Sequence, residues 1–369
     1  MIKEERLLNK FLEYVQIDSE SLNEKQMMET LIKDMKELGM EVSTDNTGEK
    51  VGSNGTNVYG YLKGDLDIEP ILFSCHMDTV TPGIGVKPVI KDGVIYSSGD
   101  TVLGGDDKSG IVSILEAIKT LKENNIAHGP IEVVFTVCEE IGLKGSKNAD
   151  YSKMKSRQAF ILDSGGDVGK VIVKAPAQNK INVKIKGKAA HAGVAPEEGI
   201  SAIQVAAEAI SNMKLLRIDE ETTANVGIIE GGKATNIVCP EVNINAEARS
   251  LNKDKLKEQT EHMVECFNKA AGKYGVTVDI EVIHSYDPVN LDTNDETVKL
   301  VENACKEIGV TFEPAASGGG SDANVFNGNG IKALNLATGM SKVHTTEEFI
   351  TIENLNNTAK LVYQIMLRK

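Results

Sequence analysis

Histidines and carboxylates recur in this chain just beyond short apolar runs, where metal-assisted hydrolysis would need them. Ile71-Leu72-Phe73-Ser74-Cys75 stops at His76-Met77-Asp78, and residues 131–138 stop at Glu139-Glu140. Ala159-Phe160-Ile161-Leu162 stops at Asp163, and residues 331–336 end near Gly339, five residues before His344. His76 and Asp78, two apart, share one side of an extended chain. A neutral imidazole suits zinc, and a carboxylate two residues on can orient the ring. Asp106 lies in the Gly-rich stretch Leu103-Gly104-Gly105-Asp106-Asp107-Lys108-Ser109-Gly110, opening a helix where a carboxylate is electrostatically favoured. Simple N-capping by Asp106 and Asp107 is the plainer reading, and both can hold at once. Glu139-Glu140 is a like-charge pair at the end of a buried strand, costly unless a cation or a proton relieves it. Two histidines and three carboxylates would suit two zinc-class ions sharing a carboxylate and a water, roughly 3.5–4 Å apart. Cys75 and Cys138 precede the ligand positions inside apolar runs and read as small core residues.

Elements must bring these residues together. The four runs read as buried strands of a mostly parallel sheet. Helical patterns lie between them, with Ile111, Ile114, Leu115, Ile118 and Leu121 on one face of 109–121, and Leu7, Leu8, Phe11, Leu12 and Val15 on one face of 3–16. Strands alternating with helices indicate an α/β layer fold, whose ligands gather at the carboxyl ends of the strands. Residues 179–290 read differently. A strand at 180–186, a helix over about 198–216, strands near 222–230 and 235–248, a helix near 254–272 and a strand at 277–284 give the order β-α-β-β-α-β. That is a plait with its helices on one sheet face. The expectation is a mostly parallel mixed sheet flanked by helices, built from residues 1–178 and 291–369 as the catalytic domain, with an inserted α+β plait domain at 179–290.

Composition excludes several classes. With 41% hydrophobic and 25% charged residues the chain is neither disordered nor fibrous. A net charge of −14 repels nucleic acid and anionic membranes, and the absence of Trp leaves little to stack on bases or sugars. No apolar run approaches the ~18 residues of a membrane span. Met1-Ile2-Lys3-Glu4-Glu5-Arg6 is charged where a signal peptide needs an apolar core. Cys75, Cys138, Cys239, Cys266 and Cys305 form no CxxC pair, which suits a reducing compartment. A cytoplasmic protein engaging neither nucleic acid nor membrane is expected.

The chain resembles, nearly end to end, the M20 family of dinuclear zinc metallopeptidases, and within it the peptidase T-like (tripeptide aminopeptidase) branch. The carrying motifs are His76-Met77-Asp78-Thr79, the 103–110 stretch, Phe135-Thr136-Val137-Cys138-Glu139-Glu140-Ile141-Gly142 and Leu162-Asp163. His191-Ala192-Gly193, Gly319-Gly320-Ser321-Asp322 and His344-Thr345-Thr346-Glu347-Glu348-Phe349 follow in the same order. The resemblance implies a zinc exopeptidase-like fold with two Zn²⁺ per subunit, Co²⁺ or Mn²⁺ being able to serve the same ligands. It implies that His76 and Asp163 hold one ion, Glu140 and His344 the other, and that Asp106 bridges them. Glu139 would be the general base acting on the bridging water, and Asp78 would orient His76. His191 would reach across from one subunit to the scissile carbonyl of the substrate held by its partner, making the enzyme a homodimer joined through the inserted domain. Asn236, Arg249 and Gly319 would meet the substrate, a short peptide and in this branch a tripeptide. His128, His262 and His284 match no motif and read as structural. Three departures bear on substrate: Ser317-Gly318-Gly319-Gly320 has no arginine before its Gly-Gly pair, the stretch from Thr79 to Val102 is short, and Thr235-Asn236-Ile237-Val238 is similar to the carboxypeptidase and deacylase branches. An N-acyl amino acid amidohydrolase or carboxypeptidase of the same family is therefore the alternative. A silent scaffold would have lost Glu139 or Asp106, and both are present.

Overall fold

The computed structural model describes residues 2–368. Its chain divides into two compact units: one comprises the residues up to Lys174, Leu291–Ser317 and the chain from Ser321 onward, the other Ala175–Asn290 with Gly318–Gly320.

In the first unit the strands Ile71–His76 and Ile131–Thr136 are buried at every position, as their unbroken apolar character demands. With Gln158–Ser164 and Lys332–Ala337 they form the parallel centre of a mixed sheet, in the spatial order 131–136, 71–76, 158–164, 332–337. Val58–Leu62 runs antiparallel outside 131–136, and Lys170–Ala175 runs antiparallel to 332–337. Because the four central strands share a direction, their carboxyl ends leave the sheet along one rim. His76, the turn to Glu139-Glu140, Asp163 and the segment leading to His344 all follow from that rim.

The helix Gly105–Glu123 is buried nearly all round, and Ile111, Ile114, Leu115, Ile118 and Leu121 enter the core together with Leu7, Phe11 and Val15 of the helix Glu4–Val15. Each such side chain contributes roughly 1.5–3 kcal/mol by leaving water. Gly110 lets the long helix lie close to the sheet, since a Cβ there would sit 2.6 Å from Cys75 Sγ and 2.7 Å from Leu162 Cβ. Cys75 and Cys138 are buried free thiols, as expected of core residues.

In the second unit four long strands lie in the order Thr222–Gly231, Glu241–Ser250, Ala177–Lys186, Thr277–Tyr286, each antiparallel to its neighbour, with Leu216–Arg217 on the outer edge of the first. Alternate residues Ile181, Val183, Ile185, Val242, Ile244 and Ala246 share one core with Val205 and Ala209 of the helix Ala202–Ser211 and Met263 and Phe267 of the helix Lys253–Tyr274. Two elements differ most from the sequence reading. The first helix is shorter than 198–216 because Pro196–Glu198 closes a separate 3-10 turn and Ser201 caps the helix through Gln204. The strand expected from 235 begins at Glu241, just after Pro240, which cannot donate to a ladder. Among the described residues no helix is long and apolar enough to cross a membrane.

Candidate active site and metal centre

All five expected metal ligands converge at the rim of the first unit. Asp106 lies at their middle. Its Oδ1 is 3.0 Å from His76 Nε2 and its Oδ2 is 3.3 Å from His344 Nε2. His76 Nε2 is also 3.7 Å from Asp163 Oδ1, and His344 Nε2 is 3.0 Å from Glu140 Oε2. One carboxylate thus faces two imidazoles, each with a second carboxylate of its own. The ligand atoms of His76, Asp106 and Glu140 lie within 4.8 Å of one another, as do those of His76, Asp107 and Asp163. Asp107 enters this cluster unexpectedly. Its Oδ2 accepts the His76 backbone N–H at 3.3 Å, while its Oδ1 is buried without a hydrogen-bond partner among the described residues. Regular helical dihedrals begin only after Asp106 and Asp107, and the peptide between them is cis.

Asp78 ties the ligand strand to the acidic pair. His76 Nδ1 is 2.9 Å from the Asp78 backbone carbonyl and 3.4 Å from its Oδ1. The same carboxylate accepts the Glu139 N–H at 2.9 Å, the Glu140 N–H at 3.2 Å and the Ser21 hydroxyl at 2.6 Å. Cys138, held at φ +53, turns the chain out of the strand just before these two amides, and its own N–H is taken by the buried Glu24 at 3.0 Å. Glu139 is itself buried.

Buried negative charge accumulates here, to be relieved by protons or by a cation. Burial, reinforced by Asp163, pushes Glu139 well above the usual carboxylate range. Burial also raises Glu140 and lifts Asp163 to about 7, even though His344 and His76 pull them down. Asp106 is buried too, yet His344 and His76 outweigh the burial and hold it low. Asp106 and Glu140 in turn raise His344 to about 10. Two imidazoles surrounded by Asp106, Asp107, Glu139, Glu140 and Asp163 leave an excess of acceptors, and Glu140 Oε1 is buried with no hydrogen-bond partner among the described residues. Hard oxygen donors and imidazole nitrogens in this number and spacing fit zinc-class divalent ions.

Several supporting residues carry no assigned role in the sequence reading. Asn335 brackets Asp163, accepting its N–H at 3.0 Å and donating to its carbonyl at 2.9 Å. A polar residue inside the apolar run 331–336 was the signal. Asp322 accepts the Thr136 hydroxyl at 2.6 Å and that of Ser146. Glu348 binds three backbone amides around Asp106.

The remaining candidates lie in the second unit. His191 and Asn236 are brought together: His191 bridges Ile237, and the Ala192 N–H donates to the Asn236 carbonyl at 2.9 Å. Both side chains are exposed or nearly so. Arg249 is engaged by Glu247 through Nε at 2.8 Å and Nη2 at 3.1 Å, and its Nη1 donates to the Gly318 carbonyl at 3.3 Å beside Gly319. Glu247 is thus a partner that the sequence reading missed. His128, His262 and His284 have ordinary hydrogen-bond partners outside the candidate ligand set.

A parallel α/β sheet whose rim gathers histidines and carboxylates, joined in sequence to an antiparallel plait, is the arrangement of a metal-dependent hydrolase. The chain belongs to peptidase family M20/M25/M40, whose description matches residues 72–368, and it is an enzyme of that family. It is similar to the uncharacterised protein YqjE of Bacillus subtilis, 47% identical over 366 residues and 99% of both chains. Among solved structures it is similar to the aminopeptidase PepT of Bacillus cereus, 48% identical with a TM-score of 0.92, covering 99% of this chain and 98% of that one. A tripeptidase of Staphylococcus aureus is 41% identical with a TM-score of 0.96 and the same coverage.

Proposed function

We propose that this enzyme is a dinuclear zinc aminopeptidase that removes the N-terminal residue of short peptides, tripeptides among them. His76 and Asp163 would hold one Zn²⁺, Glu140 and His344 the second, and Asp106 both; Co²⁺ or Mn²⁺ could replace zinc. The observation that carries this is the placing of Asp106, one oxygen toward His76 and the other toward His344. When bound, the ions would supply an acidified water and a counter-charge for the oxyanion of the attacked carbonyl. Glu139, buried and with its amide held by Asp78, is the proton carrier: as the carboxylate it takes a proton from the attacking water and returns it to the departing amine. Asp78 holds Glu139 in place for that transfer through the 2.9 Å bond to its amide. Arg249 would receive the peptide's carboxylate, with Asn236 and Gly319 meeting its polar groups.

A homodimer through residues 179–290, with His191 donating to the carbonyl oxygen across it, completes the proposal. An open edge supports it. Beyond Ala224, the last residue paired with Leu216–Arg217, the strand Thr222–Gly231 has no outer neighbour among the described residues. Ile228 and Ile229 on that strand, with Ile203 and Ile237, are among the exposed large hydrophobics. Edges of this kind pair with a second chain unless they are covered. Free cysteines throughout support the cytoplasmic location.

The test is hydrolysis of Ala-Ala-Ala beside its N-acetylated form, by zinc-loaded protein, with a chelator control. Release of the N-terminal residue from the free tripeptide only, abolished by chelation, is expected. Cleavage of the blocked peptide instead would replace this reading by the N-acyl amino acid amidohydrolase or carboxypeptidase alternative.

A further inference from the structure

Glu348 lies four residues beyond His344 in sequence, yet its carboxylate is spent entirely on the turn that carries Asp106. Its Oε2 accepts the N–H groups of Leu103 at 2.8 Å and Gly104 at 2.9 Å, and its Oε1 accepts the Asp106 N–H at 3.0 Å. The side chain is 2% exposed. A carboxylate is acceptor-only, and three backbone donors on its two oxygens make charge-assisted bonds that a neutral side chain of the same shape cannot all reproduce. The turn is shaped for this convergence. Gly104 has φ +74, in the left-handed region that favours glycine, and a Cβ on Gly105 would sit 3.1 Å from Glu348 Oε1. Two loops more than 240 residues apart in sequence are therefore fastened by one buried ion, and each carries a candidate ligand: Asp106 on one, His344 on the other.

We propose that Glu348 is a positioning residue for the metal centre, setting the placement of the shared carboxylate Asp106 against His344 by clamping the 103–106 turn onto the His344 loop. This rests on the two-cation reading above. Asp106 donates its own amide to the clamp, so its backbone cannot shift without breaking that bond. His344, about half exposed and at φ +63, has less packing to hold it and depends on where its loop is anchored. Partners outside the ligand set typically alter metal affinity or activity by roughly 10–100-fold when removed.

The experiment is titration of the metal-free protein with Co²⁺, following the visible cobalt absorption and the bound stoichiometry, for the wild type, Glu348→Gln and Glu347→Gln. Glu347 is the adjacent control: it is exposed and paired with Lys342. In Glu348→Gln the amide nitrogen can no longer accept on one side of the clamp. Expected are two equivalents of Co²⁺ in the wild type and in Glu347→Gln. In Glu348→Gln one equivalent should bind at least ~10-fold more weakly, with an altered spectrum. A Glu348→Gln protein that melts lower yet binds both equivalents with wild-type affinity and spectrum would reduce Glu348 to scaffolding and overturn the inference. Fewer than two equivalents in the wild type would overturn the two-cation reading itself, and the inference with it. Should Glu348→Gln not fold, Gly105→Ala presses on the clamp with Glu348 intact. The same weakening is expected there, and unchanged cobalt binding overturns the proposal.

Discussion

The Asp78 carboxylate stands closer to the Glu139 amide, at 2.9 Å, than to the His76 ring, at 3.4 Å, while the Asp78 backbone carbonyl meets that ring at 2.9 Å. The side chain expected to orient an imidazole is therefore as much a support for the acidic pair. Asp78 is fully buried, but His76, the Ser21 hydroxyl and the Glu139 amide outweigh the burial and keep its carboxyl below the usual range.

This geometry separates two effects of Asp78→Asn. The backbone carbonyl still holds His76, so metal stoichiometry should survive, while the amide nitrogen can no longer accept from one of the two N–H groups of the acidic pair, so that Glu139 is displaced and turnover falls at least ~10-fold. Metal analysis beside steady-state kinetics checks this. Turnover at the wild-type level per bound metal would show that Asp78 does not support Glu139.

Glu139→Ala is expected to retain both metal ions, because Glu139 is outside the proposed ligand set, and to lose about 10²–10⁴ in turnover. Loss of metal in parallel with activity would instead make Glu139 a ligand, and undiminished turnover would remove it from the proton path.

Metal removal should leave a protein that weakens as pH rises. His344, raised to about 10 from an ordinary 6.5, contributes stability that is complete below 6.5 and lost as pH climbs through about 10. Asp163, raised to about 7 by burial, stays protonated in the folded state when the unfolded chain has already ionised, so its burial penalty grows between about 4 and 7. Both trends have the same sign. Melting temperatures in chelator at pH 5.5, 7.0 and 8.5 should fall in that order, and added zinc should restore most at the highest pH. A chelated protein whose melting temperature rises over this range would contradict the charge balance described for the site.

Mixing Glu139→Ala with His191→Ala should recover activity that neither variant has alone. Each hybrid dimer would pair an intact Glu139 in one subunit with an intact His191 in the other. A mixture as inactive as its parents, once subunit exchange is verified by mass spectrometry, would place His191 outside the partner's site or outside catalysis.

The four central strands, the helix after Asp106 and the β-α-β-β-α-β order of the second unit were legible in the sequence, because burial on one or both faces writes its period directly into residue type. The candidate ligand positions were legible for a related reason. A carboxylate or histidine just beyond a buried run stands where a parallel sheet ends, and few other demands on the chain would put several of them there. What that pattern could not contain is which donor meets which acceptor. Asp107 turned inward to the His76 amide, Glu24 took the Cys138 amide, Arg249 was already engaged by Glu247, and Glu348 reached back to the Asp106 turn. Each of these contacts joins a side chain to a backbone amide or a neighbour whose position is set only when the strands are in register. The chemistry of the site was therefore present in the order of the residues, whereas its rigidity came from hydrogen bonds between segments as far apart as 103–106 and Glu348, and those exist only once packing has brought their ends together.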